Sequence, residues 1–142
     1  MKIESVMTRD PVFCLPDEGV VECAKLMARE DVGLIPVVES RDTRRLVGVV
    51  TDRDLCLGVV AEGRDPETVT IENCMTDRVV TCRPEDELEV ALDRMREHRI
   101  RRIVVVDETG CCVGVVAQAD VVKAAPAPEV KETIAQISKP TV

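Results

Sequence analysis

The chain is predicted to adopt an α+β fold made of two β-α-β-β-α units related by a pseudo-twofold axis. Three observations carry this expectation. One set of motifs occurs twice in the same order: Met7-Thr8 returns as Met75-Thr76, Cys14-x-Pro16 as Cys82-x-Pro84, and Met27 as Met95. The register continues to the end of each copy, where Pro36-Val37-Val38 matches Val104-Val105-Val106 and Gly48-Val49-Val50-Thr51-x-x-Asp54 matches Gly114-Val115-Val116-Ala117-x-x-Asp120. The offset is 68 at the start (Met7 to Met75) and 66 at the end (Gly48 to Gly114), so the first copy holds two extra residues, which fall among the charged and polar residues 40–45. A length change in a charged turn, with register kept on both sides, is what two copies of one supersecondary unit show. A duplicated unit of this size buries its apolar face against its twin, and the cleft between copies is a natural place for a ligand.

The elements follow in order. Residues 12–15 form a short strand closed by Pro16-Asp17, and Asp17 is placed to cap a helix whose apolar residues Val20, Val21, Ala24, Met27 and Ala28 follow helical spacing. Residues 34–39 are a short apolar run rich in branched side chains and read as a buried strand. A charged turn leads to a second strand, 46–51, and then to a helix over 52–61 that Gly63 and Pro66 stop. In the second copy, 79–82 is a strand and 85–98 a helix with Leu88, Ala91, Leu92 and Met95 on one face. Strands 103–106 and 112–116 are joined by Asp107-Glu108-Thr109-Gly110, a hairpin turn signal. A last helix starts at Gln118 and ends before Pro126. The link 64–74 leads into a short helix near 71–75, and the tail from Glu129 carries Val130, Ile134 and Ile137 at helical spacing. The expected domains are therefore 1–68 and 69–128, with a tail over 129–142.

Composition narrows the function. At 142 residues the chain is long enough for one proper core or two small fused ones. Its 45% hydrophobic and 32% charged residues are those of a soluble globular protein. Phe13 is the single aromatic residue, so the core is aliphatic, and the stacking platforms that single-stranded nucleic acid needs are missing. A net charge of −8 argues against duplex binding. No apolar run is long enough to span a bilayer and no secretory start is visible, so no membrane role and a cytoplasmic location are expected. The seven cysteines (14, 23, 56, 74, 82, 111 and 112) form no C-x-x-C and have one histidine, His98, to assist them. They read as reduced, buried, small hydrophobes, with the vicinal pair Cys111-Cys112 the one place where zinc or redox chemistry deserves a test.

The chemistry-bearing segment is Gly48-Val49-Val50-Thr51-Asp52-Arg53-Asp54, a buried strand running into a helix. The plain reading is a capping box, with the Thr51 hydroxyl and Asp54 carboxylate satisfying free N–H groups. The functional reading uses the same geometry: a helix N-terminus receives phosphate and a nearby carboxylate accepts from sugar hydroxyls. Glycine before the Val-Val pair would let a ligand approach the main chain. No Ser-His-Asp or Cys-His set, no Walker loop and no ligand set for a catalytic metal is present, so no active site is expected. The basic cluster Arg94, Arg96, His98, Arg99, Arg101 and Arg102 reads mainly as the solvated face and exit of a helix, where His98 suits the dipole.

The element order, Val6-Met7-Thr8 before the first strand, Ile35-Pro36-Val37-Val38 in the second and Gly48-Val49-Val50-Thr51-x-Arg53-Asp54-Leu55 at the end resemble the CBS domain, the regulatory repeat named after cystathionine β-synthase. The run His98-Arg99-Ile100-Arg101-Arg102-Ile103-Val104-Val105-Val106-Asp107 is especially similar to repeats of the gamma subunit of AMP-activated kinase. The resemblance covers residues 1 to about 125. It implies tandem CBS domains packed sheet to sheet as a stand-alone Bateman-type module, not an enzyme, that needs no cofactor. It implies a regulatory adenosine ligand: AMP or ATP foremost, with ADP, S-adenosylmethionine and NAD as further candidates. On the same ground Asp54 would hold ribose hydroxyls, Thr51 would touch phosphate, and Val80 and Ile100 would flank the base. A second cleft would pair Asp120 with Val12 and Val32. Arg101 and Arg102 match phosphate-reaching residues of the kinase subunit, and Arg53 is a third such candidate. A homodimer through the helices, or an unidentified protein partner, would receive the signal. Ala117 departs from the pattern at the position of Thr51, and Gln118-Ala119 replaces Asp52-Arg53. Loss of one hydrogen bond to a charged phosphate is worth roughly 1.5–3 kcal/mol, about 10- to 150-fold, so the Thr51/Asp54 site is expected to be the stronger. The alternative, favoured by Ala117, is a ligand-free assembly module with vestigial clefts.

Overall fold

A computed structural model describes residues 1–124 and Ile137. The chain forms two compact units. One contains Pro11–Val79 and Thr109–Cys112; among the described residues the other contains Met1–Asp10, Val80–Glu108 and those from Val113 on. The expected boundary at 68/69 marks the sequence repeat, whereas the compact units exchange their leading segments.

In the first-copy unit, strands β2 (Leu34–Val38) and β3 (Leu46–Thr51) pair antiparallel. On one side Cys14 bridges Val37 in parallel; on the other Thr76 bridges Val49 antiparallel. The second-copy unit repeats this order in full, as the sheet β1-β6-β5-β4. Here β1 (Thr8–Arg9) pairs antiparallel with β6 (Cys112–Ala117), and β4 (Thr81–Cys82) pairs parallel with β5 (Arg102–Val106). Cys82 sits opposite Val105 as Cys14 sits opposite Val37, and Thr8 opposite Val115 as Thr76 opposite Val49. Each sheet therefore takes its outer Met-Thr segment from the start of the other repeat. Matching main-chain bonds hold the exchanged leaders: Ile3 N–H to Asp86 O at 3.0 Å and Ile71 N–H to Glu18 O at 2.9 Å.

Glycine explains how the leader lies so close. A Cβ on Gly48 would stand 2.8 Å from the Thr76 carbonyl oxygen and 3.0 Å from Met75 Sδ; one on Gly114 would stand 2.7 Å from Met7 Sδ and 3.0 Å from Thr8 O. This corrects the expectation that Gly48 makes room for a ligand, because its own chain fills that space.

Helix α1 (Val20–Glu30) begins two residues later than its pattern suggests, and Asp17 is not its cap. Gly19 holds the N-cap without a side-chain bond, while the neighbouring Glu18 carboxylate accepts the Leu15 N–H at 2.6 Å and closes the turn. Asp86 does the same for Arg83 N–H at 2.8 Å, ahead of α3 (Leu88–His98). Both helices end on a left-handed residue, Asp31 at φ 54° and Arg99 at φ 53°, and His98 is the exposed last residue of α3 as expected. The helix expected over 52–61 is shorter: α2 spans Asp52–Leu55 and then widens into a π turn, Cys56–Val60. Gly58 packs there so tightly that a Cβ would lie 3.0 Å from the Cys74 Cβ. Of its apolar residues Val59 is buried, whereas Leu57 and Val60 are 48% and 74% exposed. Helix α4 covers Gln118–Ala124. The helix expected in the tail lies outside the described residues, apart from Ile137.

Each unit has its own aliphatic core. Ile35, Val37, Val50, Met27, Ile71 and Cys23 centre the first-copy unit. Ile3, Met95, Ile103, Val105, Val116 and Ile137 centre the second. The cysteines divide differently from expectation: Cys14, Cys23, Cys82 and Cys112 are buried, Cys74 and Cys111 are half-buried, and Cys56 is exposed. None of the seven is in a disulfide.

Candidate functional site

The strand-to-helix corner of the first-copy unit forms the capping box read from its sequence. Thr51 Oγ1 accepts the Asp54 N–H at 3.0 Å, and Asp54 Oδ2 accepts the Thr51 N–H at 2.9 Å. A third residue joins them. The Thr76 hydroxyl donates to both Asp54 oxygens at 3.4 Å, a long shared bond. Thr76 arrives because Gly48 admits the leader against β3, so one glycine and one Met-Thr pair position the carboxylate. Sequence reasoning missed Thr76 as a site residue, although the repeated Met-Thr was the available signal.

An ionised carboxylate has about four acceptor positions. The Thr51 N–H and the Thr76 hydroxyl engage Asp54 from inside the chain, and half-buried Asp54 keeps acceptor capacity for a ligand diol. Capping and binding are therefore compatible uses of one side chain. Neighbouring Arg53 is exposed, with its main-chain N–H bonded to the Asp52 carboxylate at 2.8 Å. Val12 and Val32 are partly buried against the core of this unit.

In the second-copy unit the corner is half complete. Asp120 Oδ2 accepts the Ala117 N–H at 3.0 Å, matching Asp54 and Thr51, but alanine has no hydroxyl to return the bond. Gln118 Oε1 is buried without a hydrogen-bond partner, and the Gln118 N–H donates to Arg101 O at 2.8 Å. Val80 and Ile100 pack partly against the core. Arg101 is exposed and Arg102 half-buried at the start of β5. The basic cluster is not uniformly solvated: Arg94 donates to the Thr81 main-chain oxygen, and Arg96 pairs with Asp93 one turn back at 2.9 Å. Restoring the missing hydroxyl with Ala117→Thr should stabilise the fold by about 0.5–1 kcal/mol, the worth of an N-cap side chain. Urea unfolding measures this, and an unchanged midpoint would show that the corner gains nothing from the box.

Among the described residues no three His, Cys, Asp or Glu converge as a metal site requires, and no helix is long and apolar enough to cross a membrane.

The sequence matches the family model of the CBS domain twice, over residues 3–60 and 71–127. The chain belongs to the CBS domain family. A CBS domain-containing protein of Bacillus subtilis, YhcV, is 37% identical over 118 residues, covering 83% of this chain and 81% of the relative. An uncharacterized protein of Methanopyrus kandleri is 30% identical over 126 residues, covering 89% of this chain but only 63% of the relative, so the chain spans less than two thirds of that protein. Among solved structures, CBSX2 in complex with AMP superposes with a TM-score of 0.76 at 27% identity, covering 92% of this chain and 98% of that one. The two CBS repeats thus account for both the duplicated motifs and the α+β fold.

Proposed function

We propose that the protein is a cytoplasmic regulatory module that senses an adenosine compound, AMP or ATP foremost, and passes the bound state to a partner. It is not an enzyme, and the nucleotide is a regulatory ligand. The observation that carries this reading is the Asp54 carboxylate, oriented by the Thr51 N–H and the Thr76 hydroxyl with acceptor capacity left over. In this role Asp54 accepts two ribose hydroxyls, the Thr51 hydroxyl and the adjoining N–H groups receive phosphate, and Arg53 supplies positive charge. The Asp120 site binds more weakly because Ala117 lacks the hydroxyl. A solved relative of comparable length that holds AMP supports the ligand class. Such a module works by differential affinity, since a ligand shifts an equilibrium only by binding one arrangement better than another.

A thermal-shift panel with AMP, ADP, ATP, S-adenosylmethionine and NADH tests the reading. At least one should raise the unfolding midpoint by mass action. A flat response across the panel would transfer the lead to the ligand-free assembly reading, which Ala117 favours.

The listening partner is a second copy, joined through helices. An apolar groove of about 370 Å³ runs along α1 and the π turn, lined by Val20, Val21, Ala24, Leu55, Val60 and Pro66 among others. Val60, in its lining, and Leu57 of the same π turn stand exposed. Val60→Glu should convert the dimer to monomer in sedimentation while leaving the far-UV spectrum unchanged. A sedimentation coefficient unaffected by this charge would place the interface elsewhere.

A further inference from the structure

The two repeats treat the outer edge of their first strand differently. Cys14 turns both main-chain groups to β2: its N–H donates to Pro36 O at 3.0 Å and its carbonyl accepts the Val38 N–H at 2.9 Å. In extended chain the groups of the neighbouring Phe13 point the other way, and among the described residues neither its N–H nor its carbonyl oxygen has a hydrogen-bond partner. In the second repeat the matching residue is Thr81, whose main-chain oxygen accepts from the Arg94 guanidinium of α3. The residue of α1 that matches Arg94 is Leu26, which has no donor to offer. Between Leu26 and Phe13, where the second repeat has its arginine, the first-copy unit has a cavity of about 380 Å³ that Val12 and Cys23 also line. We propose that this cavity binds a small guanidinium compound of the arginine class, its guanidinium donating to Phe13 O as Arg94 donates to Thr81 O.

The rim suits both ends of such a molecule. Glu18 and Glu22 stand there with Arg29 and Arg41. Carboxylates are thus at hand for the ligand's guanidinium, and guanidinium forks for its α-carboxylate. Two of the four are only loosely paired, Glu22 with Lys25 at 3.6 Å and Arg29 with Glu30 at 3.8 Å, all on exposed side chains. Exposed pairs of this kind are worth little, so both groups are free to turn to a ligand. The other two hold the mouth in shape. Glu18 accepts the Leu15 N–H at 2.6 Å and pairs with Arg41 at 3.3 Å. Arg41 and Arg44 in turn flank the Phe13 ring, with guanidinium carbons 5.8 and 5.1 Å from its centre. The aliphatic floor takes the methylene stem, the part of an arginine that packs on apolar surface.

Other occupants fit less well. An added β-strand needs a row of free main-chain groups, but Pro11 has no N–H, and Glu18 takes both the N–H and the carbonyl of Leu15, with its carboxylate and its own N–H. Phe13 alone is left to pair, which is too little for a strand and enough for one guanidinium. A nucleotide would bring its phosphates against two carboxylates at the rim. The lining includes none of Thr51, Asp54 and Thr76, so the cavity is separate from that corner.

Titration calorimetry on the whole chain with L-arginine, agmatine and L-citrulline tests this. Citrulline keeps the stem and the amino-acid end but carries a neutral ureido group; agmatine keeps the guanidinium and lacks the carboxylate. Arginine should bind saturably at one site, and citrulline at least about 10-fold more weakly, the worth of a charge-assisted hydrogen bond. Agmatine should fall between them. Leu26→Arg should plug the cavity from within, as Arg94 does in the second repeat, and weaken arginine binding by about 10-fold or more. In the isotope-labelled unaltered protein, arginine should shift the amide signals of residues 13–15 and 22–26 and leave those of 81–83 in place. That measurement decides the matter even if the variant does not fold. No saturable heat with arginine, citrulline binding as tightly as arginine, unchanged affinity in folded Leu26→Arg, or shifts confined to residues away from the cavity overturns the proposal.

Discussion

Asp54→Ala lowers the affinity for AMP, or for whichever adenosine compound gives the largest thermal rise, by roughly 10- to 150-fold, while Asp120→Ala lowers it less than about threefold. The expected size follows from hydrogen bonds to a charged acceptor, worth about 1.5–3 kcal/mol, which the methyl group of alanine cannot make. The asymmetry follows from the two corners. Asp54 sits in a complete capping box with Thr76 against it, whereas Asp120 faces Ala117. Because Asp54 also satisfies the Thr51 N–H, the alanine variant loses part of a cap, about 1 kcal/mol of stability in the free protein. Asp54→Asn separates the two effects: its amide oxygen still accepts the Thr51 N–H, so stability recovers more than binding. Titration calorimetry on the three variants measures all of this. Equal losses at Asp54 and Asp120 would contradict the asymmetry drawn from Ala117.

Gly48→Ala lowers stability by about 1–3 kcal/mol, as overpacking does. At roughly 2–4 °C per kcal/mol for a chain of this size, that is a fall of about 2–12 °C in the unfolding midpoint. The added Cβ would lie 2.8 Å from a main-chain oxygen, so the Met75-Thr76 segment must move off β3. Thr76 then leaves Asp54, and ligand affinity falls with stability. Gly19→Ala is the control, since a Cβ there meets nothing within 4 Å. Matching midpoints for Gly48→Ala and Gly19→Ala, read by thermal denaturation, would show that the leader does not need that glycine.

What could be read from the chain and what could not have physical reasons. The buried strands β2 and β3 announced themselves because a continuous branched-apolar run has few other uses, and β3 ends at Thr51 as expected. The capping box was legible because its residues are local. The exchange of leaders was not. Met7-Thr8 and Met75-Thr76 are the same words, and Gly48 and Gly114 offer them the same notch, so no local rule says which segment fills which. Two acids stand side by side at Asp17 and Glu18, and the longer one reached back to Leu15, which moved the start of α1 to Val20. The shortening of α2 depends on Gly58 meeting Cys74, sixteen residues away in a linker whose path the sequence leaves open.

Among the described residues, the Thr51, Asp54 and Thr76 contacts are internal to one compact unit, so they do not depend on any larger arrangement. The claim that matters most is that this carboxylate holds a ribose. A crystal structure grown with AMP tests it directly. The account predicts both ribose hydroxyls within hydrogen-bonding distance of the Asp54 oxygens and the phosphate at the Thr51 end of α2. Nucleotide density that leaves Asp54 untouched, with its sugar held by other residues, would contradict it.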